Sequence, residues 1–276
     1  MSVAGRPAMD RGETTSFNTS QPEERVTFSM VNELETLVTD FYVNQKLALK
    51  LDLPGSRETV LDLFGRLKKE FPQLSNFRRF EDELALESDD LKRCYSWLSL
   101  RGTMLRSGFV NPADLTEAYD LHRRILEVAP YFLSISPIDV DHLELVFGFD
   151  LEAQANRDEI VFNALLRDGP LADLVEEGEG VVEAQPVVGI TIESNPDMHA
   201  FVEVKTRTTP KERSSGLFGR EPISVFLTVR NSGKLDSLDE LGPRFAALAG
   251  YAERLSEERL VPSVLTPIKH AILAQS

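Results

Sequence analysis

The segment Phe201-Val202-Glu203-Val204-Lys205-Thr206-Arg207 carries a carboxylate and an ammonium group two positions apart in a run rich in β-branched residues. Residues two apart on a strand share a face, so Glu203 and Lys205 are expected side by side. An antiparallel neighbour can bring Glu193 or Asp197 next to them, and the residues do not decide between the two. Carboxylates can bind Mg²⁺ and a lysine can orient a water molecule, so this pattern indicates metal-assisted activation of water.

Residues 189–207 resemble the signature segment of the PD-(D/E)xK nuclease superfamily, through Gly189-Ile190-Thr191-Ile192-Glu193, Pro196-Asp197 and Glu203-Val204-Lys205. In that family an acid on one strand and a Glu-x-Lys on the next hold a divalent metal. The resemblance implies a nuclease or phosphodiesterase that uses Mg²⁺ or Mn²⁺, with Glu203 and Lys205 catalytic and with Glu203 and either Glu193 or Asp197 as metal ligands. It also implies that nucleic acid is the substrate.

The same residues have a second interpretation, which we favour. Glu-x-Lys also occurs on solvent-facing strands, where opposite charges on one face simply pair. On this interpretation Val202 and Val204 face the core, while Glu203 and Lys205 belong to an ordinary wet face and no cofactor is involved.

The remaining reactive residues favour structural roles. His122 lies in an apolar helical stripe, which is typical of a core histidine. Asp139, Asp141 and His142 follow a proline and lead into a strand, which is typical of a turn. Cys94 has no local histidine to activate it and is expected to pack as a small apolar residue.

The elements that position these residues fall into two predicted parts after a disordered tail over residues 1–24. Over residues 25–132, apolar residues recur at helical spacing, which predicts a helical domain. Within it we predict a helix over residues 89–106. Another helix is predicted to begin at Asn111-Pro112 and to end near Pro130.

Beyond Ser134 the apolar period changes from 3.6 to 2, which predicts an α+β domain over residues 133–276. Its expected order is β-α-β-β-β-α-α, a small antiparallel four-stranded sheet with helices on one face. Residues 182–193 and 200–208 are predicted to form a hairpin around Asn195-Pro196-Asp197. No internal repeat is visible.

The net charge of −15 discourages binding to nucleic acid or anionic lipid, because both attract positive proteins. The acidity is concentrated in residues 133–181, and a polar, basic loop follows at residues 209–221. We expect one of these two stretches to be a contact surface, and in the loop the contact residues are Lys211, Arg213, Phe218 and Arg220.

The single cysteine and the absence of a long apolar run lead us to expect a cytoplasmic protein with no membrane span. The function expected from the sequence is a non-enzymatic module that binds or regulates another protein. The alternative is the metal-dependent nuclease, and only that alternative involves nucleic acid. The sequence leaves the oligomeric state open.

Overall fold

A single antiparallel sheet of nine strands runs through the protein, and helices cover one of its faces. The structure, a computed structural model, describes residue 34, residues 36–90 and residues 93–275. The predicted tail at residues 1–24 lies outside this range. Within the described residues, no helix has the length and apolar character needed to span a membrane.

The strands and helices follow the chain in mixed order, with short 3-10 turns between some of them. The strands are β1 Asp40–Leu49, β2 Asn76–Arg79, β3 Leu84–Glu87, β4 Tyr95–Arg101, β5 Met104–Val110, β6 Val140–Ala153, β7 Val187–Thr191, β8 Met198–Lys205 and β9 Glu221–Asn231. The helices are α1 Arg57–Glu70, α2 Leu115–Phe132, α3 Arg157–Leu165, α4 Pro210–Ser215, α5 Leu241–Leu255 and α6 Thr266–Ala274, with a π-helical segment at Ser256–Leu265 between the last two.

The strand order β2-β3-β4-β5-β1-β6-β9-β8-β7 shows that the chain is built from two topologically similar halves. In each half the first strand, β1 or β6, pairs with the last strand of the same half, β5 or β9. The two first strands then pair antiparallel with each other at the centre of the sheet. The connection between the halves runs from the end of α2 to Pro137–Asp139.

One hydrophobic core lies between the sheet and the helices and is continuous across both halves. Helices α2 and α5 pack directly on the sheet, α1 packs beside α2, and α3 packs beside α6. The buried strand residues alternate, as the pleat requires, and include Val43, Leu105, Phe147 and Leu227. We call this helix-covered side the inner face and the opposite side the outer face.

The prediction of a helical N-terminal region followed by a four-stranded sheet is wrong, because five of the nine strands lie between residues 40 and 110. The first element of this region with defined bounds is strand β1 and not a long helix. Its residues Phe41, Val43 and Leu47 point inward with a period of two. The polar Gln45 occupies an inward position between them, which hides the alternation.

The predicted helix over residues 89–106 is also wrong, because this region forms the β4–β5 hairpin. Gly102 supports the turn with a left-handed φ of 52°, a conformation that glycine adopts without steric cost. Ser96 and Ser107 take inward positions where an apolar residue would have revealed a strand. Buried polar residues on the inner face are therefore the reason that the apolar residues of this region do not show the period of a strand.

The predictions for the elements after residue 110 are largely confirmed. Helix α2 begins after Asp114, whose side chain caps Glu117 N, and not at Asn111 as predicted. The hairpin β7–β8 and strand β9 lie within or close to their predicted bounds, with β8 pairing antiparallel to both.

Candidate functional site

The outer face of the central sheet carries ordered rows of side chains that cross its strands. Each row joins residues that lie opposite one another in the strand register. Four rows follow one another along the strands. The first row is Lys205, Ser224, Asp150, Asp40, and the second is Glu203, Phe226, Gly148, Tyr42, Val110, Tyr95. The third row is Phe201, Thr228, Val146, Asn44, Gly108, Trp97, and the fourth is His199, Arg230, Glu144, Lys46, Arg106, Ser99. The two middle rows contain the aromatic residues and the two flanking rows most of the charges.

The aromatic rings of the middle rows lie against glycines of the neighbouring strands. A Cβ at Gly148 would lie 2.3 Å from Tyr42 Cδ2, and a Cβ at Gly108 would lie 2.4 Å from Trp97 Cε2. Such distances are far below van der Waals contact, so only glycine leaves room for these rings. These two glycines therefore provide the space that the Tyr42 and Trp97 rings occupy.

Cationic side chains are placed over three rings of the outer face. The Arg106 guanidinium lies 5.7 Å from the Trp97 ring centroid, and Lys205 Nζ lies 5.7 Å from that of Phe226. The Arg230 guanidinium lies 5.8 Å from the Phe201 ring. Cations at these distances are attracted to the ring quadrupole, which helps to hold both groups in place.

The carboxylate of Glu144 organises the cations at the centre of the outer face. It contacts Lys46 Nζ and Arg230, whose Nε lies 2.6 Å from Glu144 Oε1. His142 Nε2 lies 3.4 Å from the same oxygen. Burial raises the pKa of Glu144, but hydrogen bonds from His142 and Lys46 and the positive charges of Lys46 and Arg230 outweigh it and lower the pKa to about 2.

The outermost charged row contains two carboxylates that face each other across β1 and β6. Asp40 contacts Arg93 and accepts a hydrogen bond from Asn111 Nδ2 at 2.8 Å. Asp150 accepts one from Ser224 Oγ at 2.5 Å. Burial raises the pKa of Asp150 although the Ser224 hydrogen bond lowers it.

Backbone strain is concentrated around this row. Arg93, Asn111 and Arg207 have left-handed φ angles of 66°, 48° and 53°. Such conformations cost energy in residues with a side chain and need support from their surroundings. Asn111 receives this support because its Oδ1 accepts from Phe41 N and its Nδ2 donates to Asp40 and to the Arg93 carbonyl.

The structure brings together only part of the predicted metal site. Glu203 and Lys205 share the outer face, and Lys205 Nζ lies 3.1 Å from Glu203 Oε2. Glu193 and Asp197 lie in the turn at the other end of the β7–β8 hairpin. Asp197 and Glu203 are separated by six strand positions, which corresponds to about 20 Å. Among the described residues, no group of three or more His, Cys, Asp or Glu side chains is placed to hold a metal ion.

The basic loop around α4 is held in place by a buried ion pair. Arg157 is fully buried, and its Nη2 donates to both oxygens of Glu212 at 2.9 and 2.8 Å. Its Nε donates to the Thr206 carbonyl at 2.7 Å and its Nη1 to the Gly219 carbonyl at 3.1 Å. A fixed helical turn therefore replaces the polar loop expected between β8 and β9.

The four predicted contact residues of this loop differ in accessibility. Lys211 and Arg220 are exposed, and Arg220 Nε lies 3.4 Å from Glu152. Arg213 contacts the Val182 carbonyl and is half-buried, as is Phe218. Only part of the loop is therefore available as a contact surface.

The buried histidine forms a polar network below α2. Its Nε2 lies 3.1 Å from the Val43 carbonyl, which can only accept, so Nε2 carries the proton. The unprotonated Nδ1 then accepts from Ser107 Oγ at 2.8 Å, and Gln45 Oε1, a second acceptor, lies 3.0 Å from the same Oγ. Since Ser107 and His122 are both inaccessible, the pair is structural, and the prediction of a core histidine is confirmed.

No protein-family model matches the chain, and the search of curated proteins found no match either. The outer face was missed because its rings and charges come from strands far apart in sequence. The only local signals are the glycines at Gly108 and Gly148, each inside a strand, where glycine often marks a close approach of another group.

Proposed function

We propose that this protein is a binding module whose outer face holds another protein. The observation that carries the proposal is the array of aromatic rings and paired cations across the outer face. Aromatic residues and arginine are enriched in protein interfaces and contribute most of their binding energy. The glycines and cations described above hold the rings in place, so binding orders few side chains further.

The charge of the outer face supports a protein partner over a polyanion. Its strand positions carry six cations and six anions, although the whole chain has a net charge of −15. The cations are Lys46, Arg78, Arg101, Arg106, Lys205 and Arg230, and the anions are Asp40, Glu87, Glu144, Asp150, Glu152 and Glu203. A neutral face on an acidic molecule offers nucleic acid little electrostatic attraction.

Replacing outer-face aromatic residues is expected to abolish capture of the partner. The test compares the wild type with a Tyr95→Ser, Phe201→Ser variant in quantitative affinity capture. The matched control is Tyr131→Ser, because Tyr131 is 69% exposed but lies on α2. We expect a set of proteins that the wild type and the control retain and the outer-face variant loses. Equal capture by all three proteins would rule out the outer face as the binding surface.

The outer face also contains its own reporter, because Trp97 is the single tryptophan of the chain. A captured protein can be titrated into the purified module while Trp97 emission is recorded. If that protein contains tryptophan, its own emission is measured separately and subtracted. A saturable change in Trp97 emission that the Tyr95→Ser, Phe201→Ser variant does not show would place that protein on the outer face.

The nuclease alternative is tested separately by titrating Mn²⁺ into the wild type and into a Glu203→Ala, Lys205→Ala variant. Because Glu193 and Asp197 lie at the far end of the hairpin, we expect the two proteins to give the same weak heat. Binding at sub-millimolar Mn²⁺ that only the wild type shows would favour the nuclease and would justify assays on single- and double-stranded substrates.

A further inference from the structure

Strand β7, which forms one edge of the sheet, exposes an apolar and uncharged sequence. Its sequence is Val187-Val188-Gly189-Ile190-Thr191. One edge of this strand pairs with β8, and the other edge is the edge of the sheet. Val187 is 62% exposed and Val188 is 55% exposed. Exposed edge strands usually carry charged residues or proline, because their unpaired backbone groups can otherwise recruit other strands.

The hydrogen bonds to β8 show which backbone groups of β7 remain available. Val204 N donates to the Pro186 carbonyl at 3.0 Å, so these opposite residues form a hydrogen-bonded pair. In an antiparallel ladder such pairs alternate, and Val188 and Ile190 therefore also point their backbone groups at β8. The N–H and C=O groups of Val187, Gly189 and Thr191 point away from β8, in the plane of the sheet. There they find no hydrogen-bond partner among the described residues.

The opposite edge of the sheet is protected in a way that β7 is not. Strand β2 reads Asn76-Phe77-Arg78-Arg79, and both arginines are exposed. Charged side chains on an edge strand discourage pairing with a further strand. The contrast suggests that β7 is left open for a partner.

We propose that β7 pairs antiparallel with β7 of a second copy of this chain. A two-fold axis that passes midway between the two copies of Gly189 places Val187 opposite Thr191 of the copy and the two Gly189 residues opposite each other. In this register alone, the unpaired N–H and C=O groups of Val187, Gly189 and Thr191 all find a partner in β7 of the copy. The same symmetry places Val188 opposite Ile190 of the copy on the inner face, so β-branched side chains meet in every pair that lacks glycine.

The residues that flank β7 are compatible with this register. The strand begins after Pro186 and ends at Thr191, before the turn at residues 193–194, so the pairing is confined to uncharged residues. The two sheets become one, with the helices of both copies on the same face, because a two-fold axis perpendicular to a sheet preserves its faces. The outer faces of the two copies then form one surface.

A charge-swap pair of variants tests the proposed register. In Val187→Lys, Thr191→Lys each lysine faces a lysine of the copy, whereas in Val187→Lys, Thr191→Glu each lysine faces a glutamate of the copy. The two variants remove the same two side chains from the same edge. Sedimentation over a range of protein concentrations should show a wild-type dimer, a dissociation constant raised at least about tenfold by the first variant and one close to wild type for the second.

Three results would overturn the proposal: a wild type that stays monomeric at the highest concentration, equal weakening by both variants, or weakening by neither. Circular dichroism and thermal melting confirm that each variant is folded. Hydrogen exchange tests the dimer on the wild type, without substitutions. The amides of Val187, Gly189 and Thr191 should exchange more slowly as the protein concentration rises, because the dimer protects them. Exchange that does not depend on concentration would equally overturn the dimer.

Discussion

Replacing Arg157 with leucine is expected to lower the free energy of unfolding by about 3 to 5 kcal/mol. The guanidinium is fully buried and satisfies the Glu212 carboxylate together with the Thr206 and Gly219 carbonyls. Leucine fills part of the space but donates no hydrogen bond, so a mostly buried carboxylate loses its counter-charge. Chemical denaturation of the wild type and the variant at pH 7 measures the difference.

The loss should be partly reversed in an Arg157→Leu, Glu212→Leu double variant, because no unpaired charge then remains. Arg220→Leu is the matched control, since this exposed arginine lies 3.4 Å from Glu152 and should contribute no more than about 0.5 kcal/mol. Limited proteolysis should also cleave the α4 region faster in Arg157→Leu alone. An Arg157→Leu protein as stable as the control would mean that the buried ion pair does not support this part of the fold.

Part of this fold was predictable from local patterns. Strand β6 alternates cleanly through Leu145, Phe147 and Phe149, because its inner face is wholly apolar. Helix α2 was predictable because its start carries Pro112 and Asp114, which favour a helix N-terminus. In such segments the local preference and the tertiary environment agree.

The first half of the sheet was not predictable, because its inner face includes Gln45, Ser96 and Ser107. These residues interrupt the apolar period, and two of them are explained only by the buried His122, which is distant in sequence. Local spacing alone cannot show that a polar residue has a partner on a distant helix. The apolar spacing of this region therefore predicts helices where the structure has strands.

The outer face depends on the same kind of distant pairing. Asp40 and Asp150 become neighbours only because β1 and β6 meet at the centre of the sheet. The Glu-x-Lys pattern of Glu203 and Lys205, by contrast, is visible in the sequence. It lies near the end of β8, however, whereas Asp197 directly precedes the start of that strand. Local spacing predicts which residues share a face, whereas the register decides which of them can act together.

The buried histidine is expected to make stability fall as the pH is lowered from about 6.5 to about 4. Burial, partly offset by the Val43 carbonyl, lowers the pKa of His122 from 6.5 to about 4. The unfolded chain therefore binds a proton near pH 6.5 while the folded protein does not, so the free energy of unfolding decreases as the pH falls through this window. The full loss below pH 4 is about 3 kcal/mol.

The His122→Gln variant isolates this effect, because glutamine can also donate to the Val43 carbonyl and accept from Ser107 but does not titrate. We expect the variant to lose much less stability than the wild type between pH 6.5 and pH 4 when both are unfolded by urea at each pH. The carboxylates of Glu144 and Glu212, whose folded pKa values are lowered from 4.5 to about 2, begin to lose their contribution to stability near pH 4.5. Both proteins contain these groups, so this loss cancels when the two are compared. If both proteins lost stability equally from pH 6.5 to pH 4, another group would have to carry the acid sensitivity, and His122 would have to be accessible to a proton in the folded state.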